Sequence, residues 1–180
     1  MNREFELYLA THCAPVLCGR KPAALFSERK LPENCVWVSV RRRGLHMLKL
    51  RWRDNALTLL YDPAPLAAAL DETAARQRLA ALGYPVERSL RAQLAFLRKR
   101  FLEAADFPHE VGFFLGYPAQ DVIGFMECGD CKLRGAWKVF GDAKHAAALF
   151  EEYARCRSAL LAHIGSGGSI FNADLPALAG

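Results

Sequence analysis

His12, Cys13 and Lys21 fall in one short stretch near the start of the chain, and His109-Glu110 lies in its densest polar cluster, Phe107-Pro108-His109-Glu110-Val111-Gly112. A thiol flanked by cationic groups acquires thiolate character, which makes Cys13 the candidate nucleophile or redox thiol, with His109 as its base. Cys13 reads equally as an inert core cysteine at a helix end, and His109 as a structural histidine. His109-Glu110 entering a strand would point to opposite faces, so the two are not expected to act as a unit. The pair is not a zinc-protease motif, because no second histidine follows at helical spacing. Cys128-Gly129-Asp130-Cys131 has the spacing of a metal-binding or dithiol pair. It lacks a second such pair to complete a structural zinc site, so it also reads as a loop with two incidental thiols. No phosphate-binding G-x(4)-G-K-[ST] loop and no G-x-S-x-G elbow occurs.

The elements that would position these residues follow from periodicity. Phe5, Tyr8, Leu9 and His12 share a helical face over residues 2–13, which points His12 toward the core, and Ala14-Pro15 is expected to end that helix. Residues 35–40 are β-rich. Leu48, Leu50 and Trp52 alternate with Lys49, Arg51 and Arg53, and with residues 56–61 they make a hairpin over 45–61. Asp62-Pro63 starts a helical stretch that splits near Asp71-Glu72 and ends at Gly83. Leu90, Leu94, Leu97 and Phe101 define a longer helix with Arg91, Arg98 and Arg100 off its apolar stripe. Residues 111–115 read as a buried strand, 119–126 as a short helix after the Gly116-Tyr117-Pro118 turn, and 135–140 as another strand. Asp142 begins a last helix whose face is Leu149, Tyr153, Cys156 and Leu160. This order does not alternate regularly between strand and helix, so the expected class is α+β: one small mixed or mainly antiparallel sheet packed with five to six helices. Residues 1–164 form the expected domain. Residues 165–180 form a Gly/Ser break and a tail.

At 180 residues, 52% hydrophobic and 24% charged, the chain can bury a core and is neither disordered nor low in complexity. No run reaches the length of a membrane span, and the polar start does not resemble a signal peptide, so a soluble cytoplasmic protein with reduced thiols is expected. The net charge of +5 conceals a basic middle: residues 41–100 carry 13 basic and 5 acidic groups. Segments 41–53 and 88–100 could therefore track single-stranded nucleic acid, although strand alternation points Trp52 away from Arg51 and Arg53, which removes the stacking platform such binding uses.

The run 107–126, FPHEVGFFLGYPAQDVIGFM, with His12-Cys13-Ala14-Pro15, Gly19-Arg20-Lys21-Pro22, Leu82-Gly83-Tyr84-Pro85 and residues 135–142, GAWKVFGD, resembles the bacterial domain of unknown function numbered 3793. The resemblance covers residues 5–164. It implies a cytoplasmic protein chiefly of anaerobic Firmicutes and their relatives, and carries no assigned reaction. Its recurring motifs include His12-Cys13-Ala14-Pro15, Lys21-Pro22, His109-Glu110, Gly116-Tyr117-Pro118, Asp121 and Trp137-Lys138, but not Cys18, Cys35, Cys128, Cys131 or Cys156.

The resulting expectation is a pocket formed by the 12–22 loop, the His109-Glu110 turn and the Lys138 strand. In the first reading it binds a small ligand or cofactor, linked to metal or redox metabolism in anaerobes, through His12, Lys21, Tyr117 and Lys138. In the second it is an enzyme using Cys13, His109 and Glu110. Nucleic-acid binding through 41–53 and 88–100 is the third. The expected partner is a small anionic ligand rather than nucleic acid or a membrane, with Cys128 and Cys131 as the metal candidates. The residues specify neither a cofactor nor an oligomeric state.

Overall fold

Asn55 to Tyr61 alternates so that both faces of its strand meet apolar partners, and that strand becomes the centre of the sheet. The computed structural model describes residues 3–27 and 44–171. Strands β1 (Ala23–Ser27), β2 (His46–Trp52) and β3 (Asn55–Tyr61) pair antiparallel in the order β1-β3-β2, with Ala23 opposite Tyr61 and His46 opposite Tyr61 on the other side. Alternation sends Ala24, Phe26 and Leu60 into one core and Ala23, Leu50 and Leu59 into another. Helix α1 (Arg3–Leu17) and the last helix close the first core.

The second core is covered by α2 (Pro63–Asp71), α3 (Thr73–Ala81), α4 (Leu90–Glu103) and the short α5 (Val111–Phe114). Asp62 caps α2 through the Ala64 amide, and Glu72 caps α3 through the amides of Ala74 and Ala75, which splits the stretch at the expected place. Helix α6 (Ala119–Met126), the two-stranded hairpin β4 (Leu133–Arg134) and β5 (Lys138–Val139), and α7 (Ala143–Gly165) complete the α+β domain. Trp137, Val139, Ala146 and Tyr153 form a third, smaller core beneath that hairpin. Among the described residues no helix is long and apolar enough to cross a membrane.

Several expectations are corrected. Helix α1 runs through Pro15 to Leu17, because the Cys18 amide reaches Ala14 O and the Arg20 amide reaches Pro15 O, and the turn comes only at Gly19, with φ of 68°. Its buried face is Phe5, Leu9, Cys13 and Val16, which leaves His12 exposed with its ring 4.4 Å from that of Tyr8. Residues 111–115 are a helical turn rather than a strand: the Gly112 amide bonds His109 O, that of Phe113 bonds Glu110 O, and that of Leu115 bonds Val111 O. A five-residue run of this kind suits a buried helical turn as well as a strand. Of the strand expected at 135–140 only Lys138–Val139 pairs. Arg53 lies beyond β2 at φ 50°, so it escapes strand alternation and its guanidinium sits 5.2 Å over the Trp52 ring. Residues 35–43, with the expected β-rich segment and the triple arginine, lie outside the described residues, as do 172–180. Within the expected tail, Ile170 is buried and its amide donates to the Glu6 carboxylate at 2.9 Å.

Candidate functional site

Helix α6 puts Asp121, Val122 and Phe125 along one side, since residues three and four apart share a face. The side chain of Asp121 is 2% exposed, and its carboxylate accepts three hydrogen bonds: from the Trp137 indole at 2.7 Å, the Phe140 amide at 2.8 Å and the Gly141 amide at 2.7 Å. It therefore does not cap its own helix. It ties α6 to the β5–α7 connection and fixes the plane of Trp137. Gly124 allows this approach, because a Cβ there would lie 2.5 Å from the Cβ of Phe140.

Between α5, α6 and the β4–β5 hairpin this arrangement leaves a cleft of about 320 Å³. Phe107, Tyr117, Phe125 and Trp137 wall it, and Gly112 and Val122 contribute to its lining, with no room for a Cβ on Gly112 beside Val122. Tyr117 and Trp137 stack at 4.7 Å with 24° between their planes. Two nitrogen side chains line the same cleft from exposed positions. The His109 ring meets Phe125 edge to face at 4.7 Å, and Lys138 Nζ lies 5.1 Å over that ring. The chemical character is a set of flat apolar walls with cationic and hydrogen-bonding groups at the rim and a satisfied carboxylate on α6.

The candidate residues separate by location. His109, Tyr117 and Lys138 line the cleft together. Lys21 is behind it, with Nζ 4.7 Å over the Tyr117 ring and 5.8 Å from the centre of Tyr153. Burial lowers its amine from the ordinary 10.5 to about 8, partly opposed by Cys13. Glu110 takes another course: it is 2% exposed and turned inward, accepting from Arg100 Nε at 2.8 Å and from the Tyr84 hydroxyl at 3.2 Å. Burial and the Glu110 charge push the Tyr84 phenol well above its usual range. Glu110 is thus an anchor between the 84 turn, α4 and α5. His12 is on the surface, lining a separate shallow groove with Tyr8 and Thr11.

Cys13 is 0% exposed and belongs to the core shared by α1 and α7. The sequence places a cation beside it, and Lys21 is there, but burial outweighs its charge and drives the thiol well above its ordinary value. A thiol held neutral and out of solvent does not make a nucleophile. Cys128 and Cys131 are exposed, with Cys131 Sγ 3.2 Å from Leu133 O, and among the described residues no group of three or more His, Cys, Asp or Glu is placed to hold a metal. Among the described residues the basic side chains do not form one track either: Lys49 and Arg51 alternate with Leu48 and Leu50, which face α4 and the second core.

Residues 9–172 match the family described as Protein of unknown function (DUF3793). The chain belongs to that family. No curated protein and no solved structure matches it. The motifs on which the DUF3793 resemblance rests have a spatial logic. His109, Tyr117, Asp121, Trp137 and Lys138 line the cleft, and Lys21-Pro22 supports it from behind, with the Pro22 ring occupying the space where a Cβ on Gly116 would stand. Phe107 and Phe125, which sequence reasoning did not single out as site residues, become walls only when α6 is brought against the His109 turn. The shared face of Asp121 and Phe125 was the available signal.

Proposed function

We propose that this DUF3793 chain is a small-ligand-binding protein whose cleft takes an organic anion with a planar apolar body. One observation carries the reading: four aromatic rings wall a cleft of about 320 Å³ that Lys138 and His109 also line. Stacking on Trp137 and Phe125 would hold the body, and Lys138 would pair with the acid group. The three donors on Asp121 neutralise much of the effect of that carboxylate on an incoming anion. Planar anionic cofactors of redox metabolism belong to this ligand class alongside aromatic acids. A reducing cytoplasm suits the free thiols Cys13, Cys18, Cys128, Cys131 and Cys156.

The enzyme reading centred on Cys13 lacks an accessible thiol, and among the described residues nucleic-acid binding lacks a continuous cationic track. Native mass spectrometry with elemental analysis of anaerobically purified protein tests the proposal. A retained planar organic acid or cofactor, lost in Lys138→Met, supports it. A clean apo mass together with no binding of 2-naphthoate would defeat it.

A further inference from the structure

A second cavity lies on a different part of the molecule and shares no lining residue with the first. It is a groove of about 530 Å³ between the His46 end of the sheet and α4. Its floor is aliphatic, made by Leu48 from β2 with Leu90 and Leu94 from α4, and the His46 ring lies 5.7 Å from Tyr61 at its strand side. Along the helix side run Arg91, Ala95 and Arg98. Spacings of four and three residues put these on one face, with the small Ala95 between the two arginines.

Among the described residues the two arginines of this groove, Arg91 and Arg98, have no ion-pair partner. Arg20, Arg76, Arg78 and Arg100, by contrast, each meet a carboxylate. Arg91 also occupies the first turn of α4, which holds no acidic residue and whose Ser89 makes no side-chain cap. A cation there adds to the positive end of the helix dipole, so the local field favours an anion for two independent reasons.

We infer that the groove between β2 and α4 is a second ligand site, taking an anion carried on an aliphatic body, with Arg91 and Arg98 holding the acid group and Leu48, Leu90 and Leu94 the chain. Arginine suits either a carboxylate or a phosphate through its planar fork of donors. A single-stranded nucleic acid would need stacking surfaces and a continuous row of cations, whereas the floor is leucine and Lys49 and Arg51 face elsewhere.

Calorimetric titration of the full chain with decanoate, decyl phosphate and 1-decanol at low salt tests this. Either anion should bind, with 1-decanol at least about tenfold weaker, and Arg91→Ala/Arg98→Ala should lose about tenfold or more in anion affinity. Lys138→Met, in the other cleft, should leave that affinity unchanged. Both arginines are exposed on a helix, and an unaltered far-ultraviolet dichroism spectrum of the double variant confirms that its fold is retained. A preference between decanoate and decyl phosphate identifies the acid group, and both outcomes support the site. Equal binding of 1-decanol, full affinity in the double variant, loss in Lys138→Met, no binding of either anion, or tighter arginine-dependent binding of a ten-nucleotide oligothymidylate would overturn it.

Discussion

Replacing Asp121 by asparagine preserves the size of the side chain while removing its charge and one acceptor. The oxygen Oδ1 receives the amides of Phe140 and Gly141, and Oδ2 receives the Trp137 indole. Asparagine can keep its carbonyl toward the two amides only by turning its own NH2 group against the indole N–H, so that bond is lost and two donors face each other. A hydrogen bond to a charged group is worth about 1.5–3 kcal/mol, and the two surviving bonds fall to neutral strength, near 1 kcal/mol each. With Asp121 only 2% exposed, water has little access to compensate, and the expected loss is about 3 kcal/mol. In a chain of this size that corresponds to a fall in Tm of roughly 6–12 °C. Urea unfolding followed by dichroism gives the stability, and the indole proton of Trp137 in NMR reports its bond directly, expected to move upfield in the variant. Asp121→Ala, which strands all three donors, should cost more. A loss below about 0.5 kcal/mol in Asp121→Asn, typical of an ordinary surface position, would refute the role given to this carboxylate.

Lys21 titrates near 8 in the folded chain, so its charged form carries a burial penalty that is full at pH 7 and is relieved as pH rises from about 8 toward 10.5; between those values the unfolded chain binds more protons and stability gains with pH. The stability of Lys21→Met relative to the parent should accordingly be greatest near pH 7 and shrink toward pH 9.5 in paired urea titrations, and a difference independent of pH would contradict this. Iodoacetamide mapping by mass spectrometry should label exposed Cys128 and Cys131 in the folded protein, with Cys13, Cys18 and Cys156 labelled only on unfolding; early labelling of Cys13 would revive the nucleophile reading. Gly116→Ala combines a φ of 70° with collision against Pro22, and should cost about 2–4 kcal/mol by urea unfolding, against a negligible loss if neither contact matters.

Local signals in the sequence carried much of the architecture. Asp62, Glu72 and Asp142 each mark a helix start with a side-chain cap, and the hairpin expected over 45–61 forms between His46–Trp52 and Asn55–Tyr61. Where apolar residues occur on several sides, the pattern loses its direction: α1 carries Phe5, Leu7, Tyr8, Leu9 and Ala10, so the position of its buried face, and with it the exposure of His12, depends on how α7 and the sheet pack against it. The run 111–115 is too short for periodicity to separate a strand from a buried turn. Of the cleft, His109, Tyr117 and Lys138 were legible as motif residues. Its completion by Phe107 and Phe125 was not, because it depends on hydrogen bonds between Asp121 and residues 19 and 20 positions away. The neighbourhood of Cys13 and Lys21 was legible in kind but not in sign, since burial depth is a property of the whole fold.

Titration of 2-naphthoate into isotopically labelled protein, followed by NMR, tests the binding cleft most directly. Saturable shifts centred on the Trp137 indole and on the rings of His109, Phe125 and Tyr117 are expected, with affinity reduced about tenfold in Lys138→Met. Shifts that never saturate, that map away from those residues, or that persist undiminished in Lys138→Met would contradict the proposed cleft.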